Sequence, residues 1–129
     1  MNAPIVKPVV LVVDDEPFNR DLVRRVLFRE YEVLEAGDAE AALAILDGRG
    51  VDVLVCDHVM PGRSGAALAR EVRGRFPHTV VLLLTGYEDA TEIGDVRREG
   101  VVVDVLGKPW APARLKAAIA EAVRRPRDA

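Results

Sequence analysis

The sequence predicts an α/β domain: a doubly wound parallel sheet of five strands, each followed by a helix. Two observations carry this. Five short, apolar, β-branched runs recur along the chain, and a segment with helical spacing follows each of them. The runs are solid rather than alternating, as at Val9-Val10-Leu11-Val12-Val13. A strand reads that way when both of its faces are covered, which is the habit of parallel sheets. Strands separated by helices pair in parallel through right-handed crossovers.

The first strand covers residues 9–13 and runs into Asp14-Asp15-Glu16. Pro17 is well placed in the first turn of a helix. Phe18, Leu22, Val23, Val26 and Leu27 then recur at helical spacing with arginines between them, so an amphipathic helix extends to about residue 30. Residues 31–36 form a shorter, more polar strand suited to an edge. Gly37-Asp38 turns and caps the next helix, residues 39–48, which turns Ala42, Leu43 and Leu46 inward and stops at Gly48 and Gly50.

The third strand, within residues 51–57, delivers Asp57 at its end, and the chain breaks at Pro61-Gly62. Its helix starts at Ser64 and runs to about Phe76, with Leu68 and Val72 on the same stripe as Phe76; Pro77 ends it. Residues 79–84 are another solid run, closed by Thr85-Gly86. Residues 88–99 are a poor helix with few apolar anchors, and Gly94 in its middle costs about 1 kcal/mol relative to Ala. Residues 101–106 read as a fifth strand, interrupted by Asp104 as an edge strand often is. Gly107-Lys108-Pro109-Trp110 is a turn, and residues 111–124 are the last helix, with Leu115, Ala118, Ile119 and Val123 inward. The expected boundaries are a flexible segment at 1–8, one domain at 9–124, and a flexible tail at 125–129.

Bulk properties narrow the function classes. A chain of 129 residues, half of them hydrophobic, builds one ordinary core. Eighteen basic and twenty-one acidic residues give a net charge of -3, without the basic excess that nucleic-acid binding needs. The single cysteine, Cys56, has no internal disulfide partner and reads as a small buried hydrophobe in a reducing compartment. No apolar run approaches the length of a membrane span, and residues 1–8 lack the apolar centre of a signal peptide. The expectation is a soluble cytoplasmic protein with no direct nucleic-acid or membrane partner.

The strand ends carry the chemistry. Asp14 and Asp15 follow the first strand, Asp57 ends the third, Thr85 closes the fourth and Lys108 follows the fifth. In a parallel sheet these groups share one rim, where open α/β sheets place their sites. Crowded carboxylates repel one another, and burial makes this worse. Mg²⁺, which prefers hard oxygen ligands, relieves such crowding. A hydroxyl and an ammonium opposite the cation would complete a cradle for a phosphoryl group, with Asp57 as the nucleophile.

Val12-Val13-Asp14-Asp15-Glu16-Pro17, Cys56-Asp57-His58-Val59-Met60-Pro61-Gly62, Leu84-Thr85-Gly86 and Gly107-Lys108-Pro109-Trp110 together resemble the receiver domain of bacterial two-component response regulators. The resemblance spans nearly the whole chain, with the four motifs in order and at the right spacing. It implies a flavodoxin-like (βα)5 fold with strand order 2-1-3-4-5. It implies that Asp57 accepts a phosphoryl group, and that Asp15 directly and Asp14 through water hold Mg²⁺ together with Asp57 and the backbone carbonyl of Val59. Thr85 and Lys108 would contact the phosphoryl oxygens, and Lys108-Pro109 would be a cis peptide. The donor would be a sensor histidine kinase or a histidine phosphotransfer protein, docking near Phe18, Asn19 and Leu22. The target would be a downstream protein or output domain, and a phosphorylation-dependent homodimer is compatible with this. Such a domain is a switch rather than an enzyme, catalysing only its own phosphorylation and dephosphorylation.

One position departs from the pattern. Three residues before the lysine many receivers carry Tyr or Phe, and here Val105 stands there. The response is therefore expected in residues 87–100. Two alternatives remain: a phosphorylation-independent interaction module of the same fold, and an aspartate-nucleophile phosphatase. Phosphatases of that class place a second acid two residues after the nucleophile, where this chain has Val59. Gly107-Lys108 fails as a Walker A element because Pro109 replaces Ser/Thr. His58 and His78 read as surface loop residues, and Trp110 as a packing residue.

Overall fold

The computed structural model describes residues 6–86 and 90–125. Tyr87 and the start expected for the fourth helix at residue 88 lie outside them, as do residues 1–5 and 126–129. Five strands form one parallel sheet in the order β2-β1-β3-β4-β5: β1 Val9–Val13, β2 Glu32–Ala36, β3 Val53–Asp57, β4 Val80–Thr85 and β5 Asp104–Gly107. The helices are α1 Pro17–Leu27, α2 Ala39–Gly48, α3 Gly65–Arg75, α4 Ala90–Glu99 and α5 Pro112–Arg124.

The solid apolar runs are explained by what lies on each face. Leu11, Val13, Leu54, Cys56, Val81 and Leu83 pack with residues of α2, α3 and α4. Their strand neighbours Val10, Val12, Val53, Val55, Leu82 and Leu84 pack on the other side with α1 and α5. Successive side chains point to opposite faces, so a two-faced sheet needs apolar residues at every position. β1 and β3, at the centre, are buried along their whole length. The edge strand β2 keeps Glu32 and Glu35 exposed.

Local chemistry sets the ends. Pro17 opens α1 and Pro112 opens α5. Asp38 caps α2 by accepting the Ala41 N–H at 2.8 Å, and Ser64 caps α3 by accepting the Ala67 N–H at 3.1 Å. α1 stops at Leu27 rather than near residue 30, because the Glu30 and Tyr31 N–H groups both fold back onto the Leu27 carbonyl. β5 begins at Asp104 rather than 101. Gly100, at φ 75°, turns the chain out of α4, and Val101 to Val103 pack into the cores before the β4–β5 ladder starts. Leu54 is fully buried in β3, so Leu54→Ala should cost about 2–5 kcal/mol, read as a lower denaturant midpoint with unchanged slope.

Candidate functional site

The sheet brings the strand ends to one rim. Thr85 pairs with Gly107 in the β4–β5 ladder, and the Lys108 N–H donates to the Thr85 carbonyl at 2.8 Å. Lys108 thus leaves β5 beside the end of β4, and Lys108-Pro109 is a cis peptide. The Lys108 ammonium reaches the Asp57 carboxylate, with Nζ 2.5 Å from Oδ1. Oxygens of Asp14, Asp15 and Asp57 lie within 4.8 Å of one another. Asp14 and Asp57 are buried and Asp15 is exposed, so the cluster is open to solvent on one side. Thr85 is buried at its edge, and Val59 lies two residues beyond β3 with its side chain half-exposed.

The β1–α1 turn holds its acids from behind. Asp14 Oδ1 accepts the Glu16 N–H at 2.8 Å, and the Asp14 carbonyl accepts from Arg20 Nη1 at 2.8 Å. Arg20 is itself fixed to Glu35 at 3.1 Å. Nothing in the spacing of α1 marks this role for Arg20, which reads as one more basic residue on a solvated helix face. Beside Lys108, a cavity of about 550 Å³ opens between α1 and the turn into α5, with Leu22, Val23 and Trp110 in its wall. Trp110 also packs against the α1/α5 core, as a packing residue should.

The electrostatics follow from burial. Removal from water pushes the Asp57 carboxyl up from its ordinary value, and the Lys108 ammonium pulls the other way without reversing it. Asp14 and Asp15 add to the rise. Burial likewise pushes the Cys56 thiol up, so it is an inert core residue rather than a nucleophile. The donor set fits a hard cation: three carboxylates close together suit Mg²⁺, and no thiolate or imidazole is among them.

One expectation is overturned. His58 is not a surface loop residue but is 3% exposed. It follows directly on β3, at a bend, its N–H donating to the Leu84 carbonyl at 2.9 Å. Its ring lies against α3 and α4, with Nδ1 accepting the Ala66 N–H and Nε2 near Glu92. His78 is exposed, as expected. Gly65 was also missed. A Cβ there would stand 2.6 Å from the Asp57 carbonyl oxygen and 2.8 Å from His58 Cα, so only glycine lets α3 start this close to the end of β3.

Comparison with known proteins gives the family. The model of the response regulator receiver domain matches residues 10–120. The chain belongs to the response regulator receiver family. It is 39% identical over 114 residues to the hydrogenase transcriptional regulatory protein HoxA of Cupriavidus necator, covering 88% of this chain and 24% of that protein. It is 38% identical over 128 residues to the transcriptional regulatory protein AruR of Pseudomonas aeruginosa, covering 95% of this chain and 52% of that protein. The chain therefore spans a quarter to a half of the length of these relatives. The receiver domain of NtrX from Brucella abortus superposes with a TM-score of 0.83 at 31% identity, covering 91% of this chain and 99% of that one. A response regulator receiver domain from Clostridium thermocellum gives 0.83 at 30%, covering 92% and 95%. This is a receiver domain of two-component signalling, with the strand order that the sequence resemblance implies. No described helix is long and apolar enough to cross a membrane.

Two stability outcomes follow. The folded state holds the Asp57 proton to higher pH than the unfolded chain does. Between the ordinary value of 3.8 and the raised one it binds more protons, so stability falls as pH rises through that window. Asp57→Asn should raise Tm at neutral pH, and the gain should shrink as the pH is lowered toward 4; a lowered Tm at neutral pH would mean that the Lys108 pairing outweighs burial. Gly65→Ala should cost about 1–3 kcal/mol in chemical denaturation, since backbone rather than a movable side chain stands in the way.

Proposed function

We propose that this domain accepts a phosphoryl group on Asp57 in a Mg²⁺-dependent reaction and acts as a phosphorylation-controlled protein-interaction switch. The observation that carries the reading is the convergence of Asp14, Asp15 and Asp57 within 4.8 Å, with Lys108 Nζ 2.5 Å from Asp57. A loosely associated phosphoryl group needs positioning and charge neutralisation more than covalent chemistry, and these side chains provide both.

An Asp57 carboxylate oxygen attacks phosphorus, an O–P bond forms, and the P–N bond to the donor histidine breaks with its electron pair leaving on the imidazole. Lys108 stays paired with charge throughout, first that of Asp57 and then that of the transferred group. Thr85, on the neighbouring strand end, supplies a hydroxyl to a phosphoryl oxygen. Asp14, Asp15, Asp57 and the Val59 carbonyl would hold Mg²⁺, which when bound offsets phosphate charge beside three acids. Arg20 keeps Asp14 in place from the back of the turn.

The donor in this reading is a sensor histidine kinase or a histidine phosphotransfer protein. Phe18 is 70% exposed and Leu22 39% exposed on α1, with Leu22 and Asn19 lining the cavity beside Lys108, and such large exposed apolar side chains suit docking. The target is a downstream protein or output domain, with a homodimer formed on phosphorylation as one form of the response. A cytoplasmic location, where these partners reside, goes with this reading, as does a role limited to the domain's own phosphorylation and dephosphorylation.

Intact-mass measurement after incubation with acetyl phosphate tests it. Wild type should gain one phosphoryl group with Mg²⁺ and none with a chelator, and Asp57→Asn should gain none. Lys108→Ala should slow the gain roughly a hundredfold, the loss typical of one preorganised charge-stabilising donor. Labelling that persists in Asp57→Asn, or a folded wild type that takes no label, would sink the proposal; the second result would favour a phosphorylation-independent interaction module.

A further inference from the structure

His58 and Glu92 make a contact that phosphoryl transfer does not use. The imidazole is buried, and its two nitrogens face different elements. Nδ1 accepts the Ala66 N–H at the start of α3 at 3.4 Å, and Nε2 lies 3.4 Å from Glu92 Oε1 on α4. With Nδ1 taken by the Ala66 N–H, Nε2 is the nitrogen left to meet the Glu92 carboxylate, as a close polar contact. The other Glu92 oxygen accepts from the Ser64 hydroxyl at 3.2 Å, and the Arg70 guanidinium lies 4.0 Å from it. Three side chains from the β3–α3 connection and α3 thus converge on one carboxylate in the first turn of α4.

We propose that His58 and Glu92 form a tether coupling cation occupancy of the acidic cluster to the order of α4. The inference rests on the cation reading of Asp14, Asp15 and Asp57. Asp57 is the last residue of β3 and His58 the next, at the bend that follows, with its ring set against α3 and α4. The backbone between them has little freedom: the His58 N–H is bonded to Leu84, its carbonyl accepts the Gly65 N–H at 2.8 Å, and Gly65 packs on both residues. A cation that immobilises the Asp57 carboxylate therefore restrains the His58 ring as well, and Glu92 carries that restraint to α4. α4 is a helix that can respond, with Gly94 at its centre and Ile93 and Val96 as its buried anchors. The same Arg70 also pairs with Glu99, at 2.9 Å, and so fastens the far end of α4. Coupling of this kind is reciprocal, so α4 order also sets cation affinity.

Amide exchange of the full chain tests this, with calorimetric titration reporting whether Mg²⁺ binds. In wild type, Mg²⁺ should slow exchange across residues 93–99. In Glu92→Ala, exchange there should be about tenfold faster without the cation, equivalent to one hydrogen bond to a charged group, while β1 and β3 stay unchanged. Mg²⁺ should still bind this variant, more weakly, and no longer slow α4. Glu92→Gln, which keeps an acceptor for His58, should restore most of the response. Binding without any response of α4 in wild type, or an equal response in Glu92→Ala, overturns the tether and leaves the cation site standing. Absence of Mg²⁺ binding in wild type overturns the site and the tether together.

Discussion

The structure depends on one electrostatic conflict at the end of a parallel sheet. Asp57 is held out of water with Asp14 and Asp15 beside it, and a single ammonium, that of Lys108, stands against the three carboxylates. Burial outweighs the lysine, so the protonated form of Asp57 is favoured more than it would be in water. A group left this way holds binding potential: any cation or transferred charge that resolves the crowding is favoured in proportion to it. The fold supplies the conflict through topology alone, since parallel strands deliver residues 14, 57, 85 and 108 to a common edge.

Around that edge the two faces of the sheet have different tasks. The α1/α5 side carries the cavity beside Lys108 and Trp110, lined in part by Leu22, and the exposed Phe18 lies on the same helix, α1. The α3/α4 side carries His58, Ser64 and Glu92. Asp57 and His58, adjacent in sequence, belong one to each side. The rim at Asp57 and the contacts of its neighbour are thus divided between the two faces of the sheet.

Much of this was legible before any coordinates. The solid runs at 9–13 and 79–84 were enough to place buried central strands, because only a sheet covered on both faces removes the need for polar alternation. The acids at 14, 15 and 57 could be grouped because parallel strands end together. Legibility failed where tertiary contacts overrode a local signal. Val101 and Val102 are strand-like by composition, yet they pack as a buried link between α4 and β5, and the ladder starts at Asp104. His58, three residues before Pro61-Gly62, looked like an exposed loop residue, but its N–H bonds to Leu84 and its ring is buried against α3 and α4. The need for glycine at 65 depends on how closely α3 returns to Asp57, which no window of sequence around Gly65 contains.

Val105 sharpens the question of how such a domain communicates. It is a partly buried aliphatic packed against the α2/α3/α4 core, with no polar atom in its side chain to make or break a bond. A side chain of that kind moves only with its neighbours. The polar connections on the α4 side run instead through Glu92 and through the Arg70–Glu99 pair, and of these Glu92 alone reaches the residue next to Asp57 among the contacts described. A polar contact between partly buried groups is either made or unmade, and in the low dielectric of such a site the difference is large. A bistable element is what converts a local change of charge into a change of shape. In this chain the geometry assigns that property to a histidine and a glutamate rather than to a rotating aromatic ring.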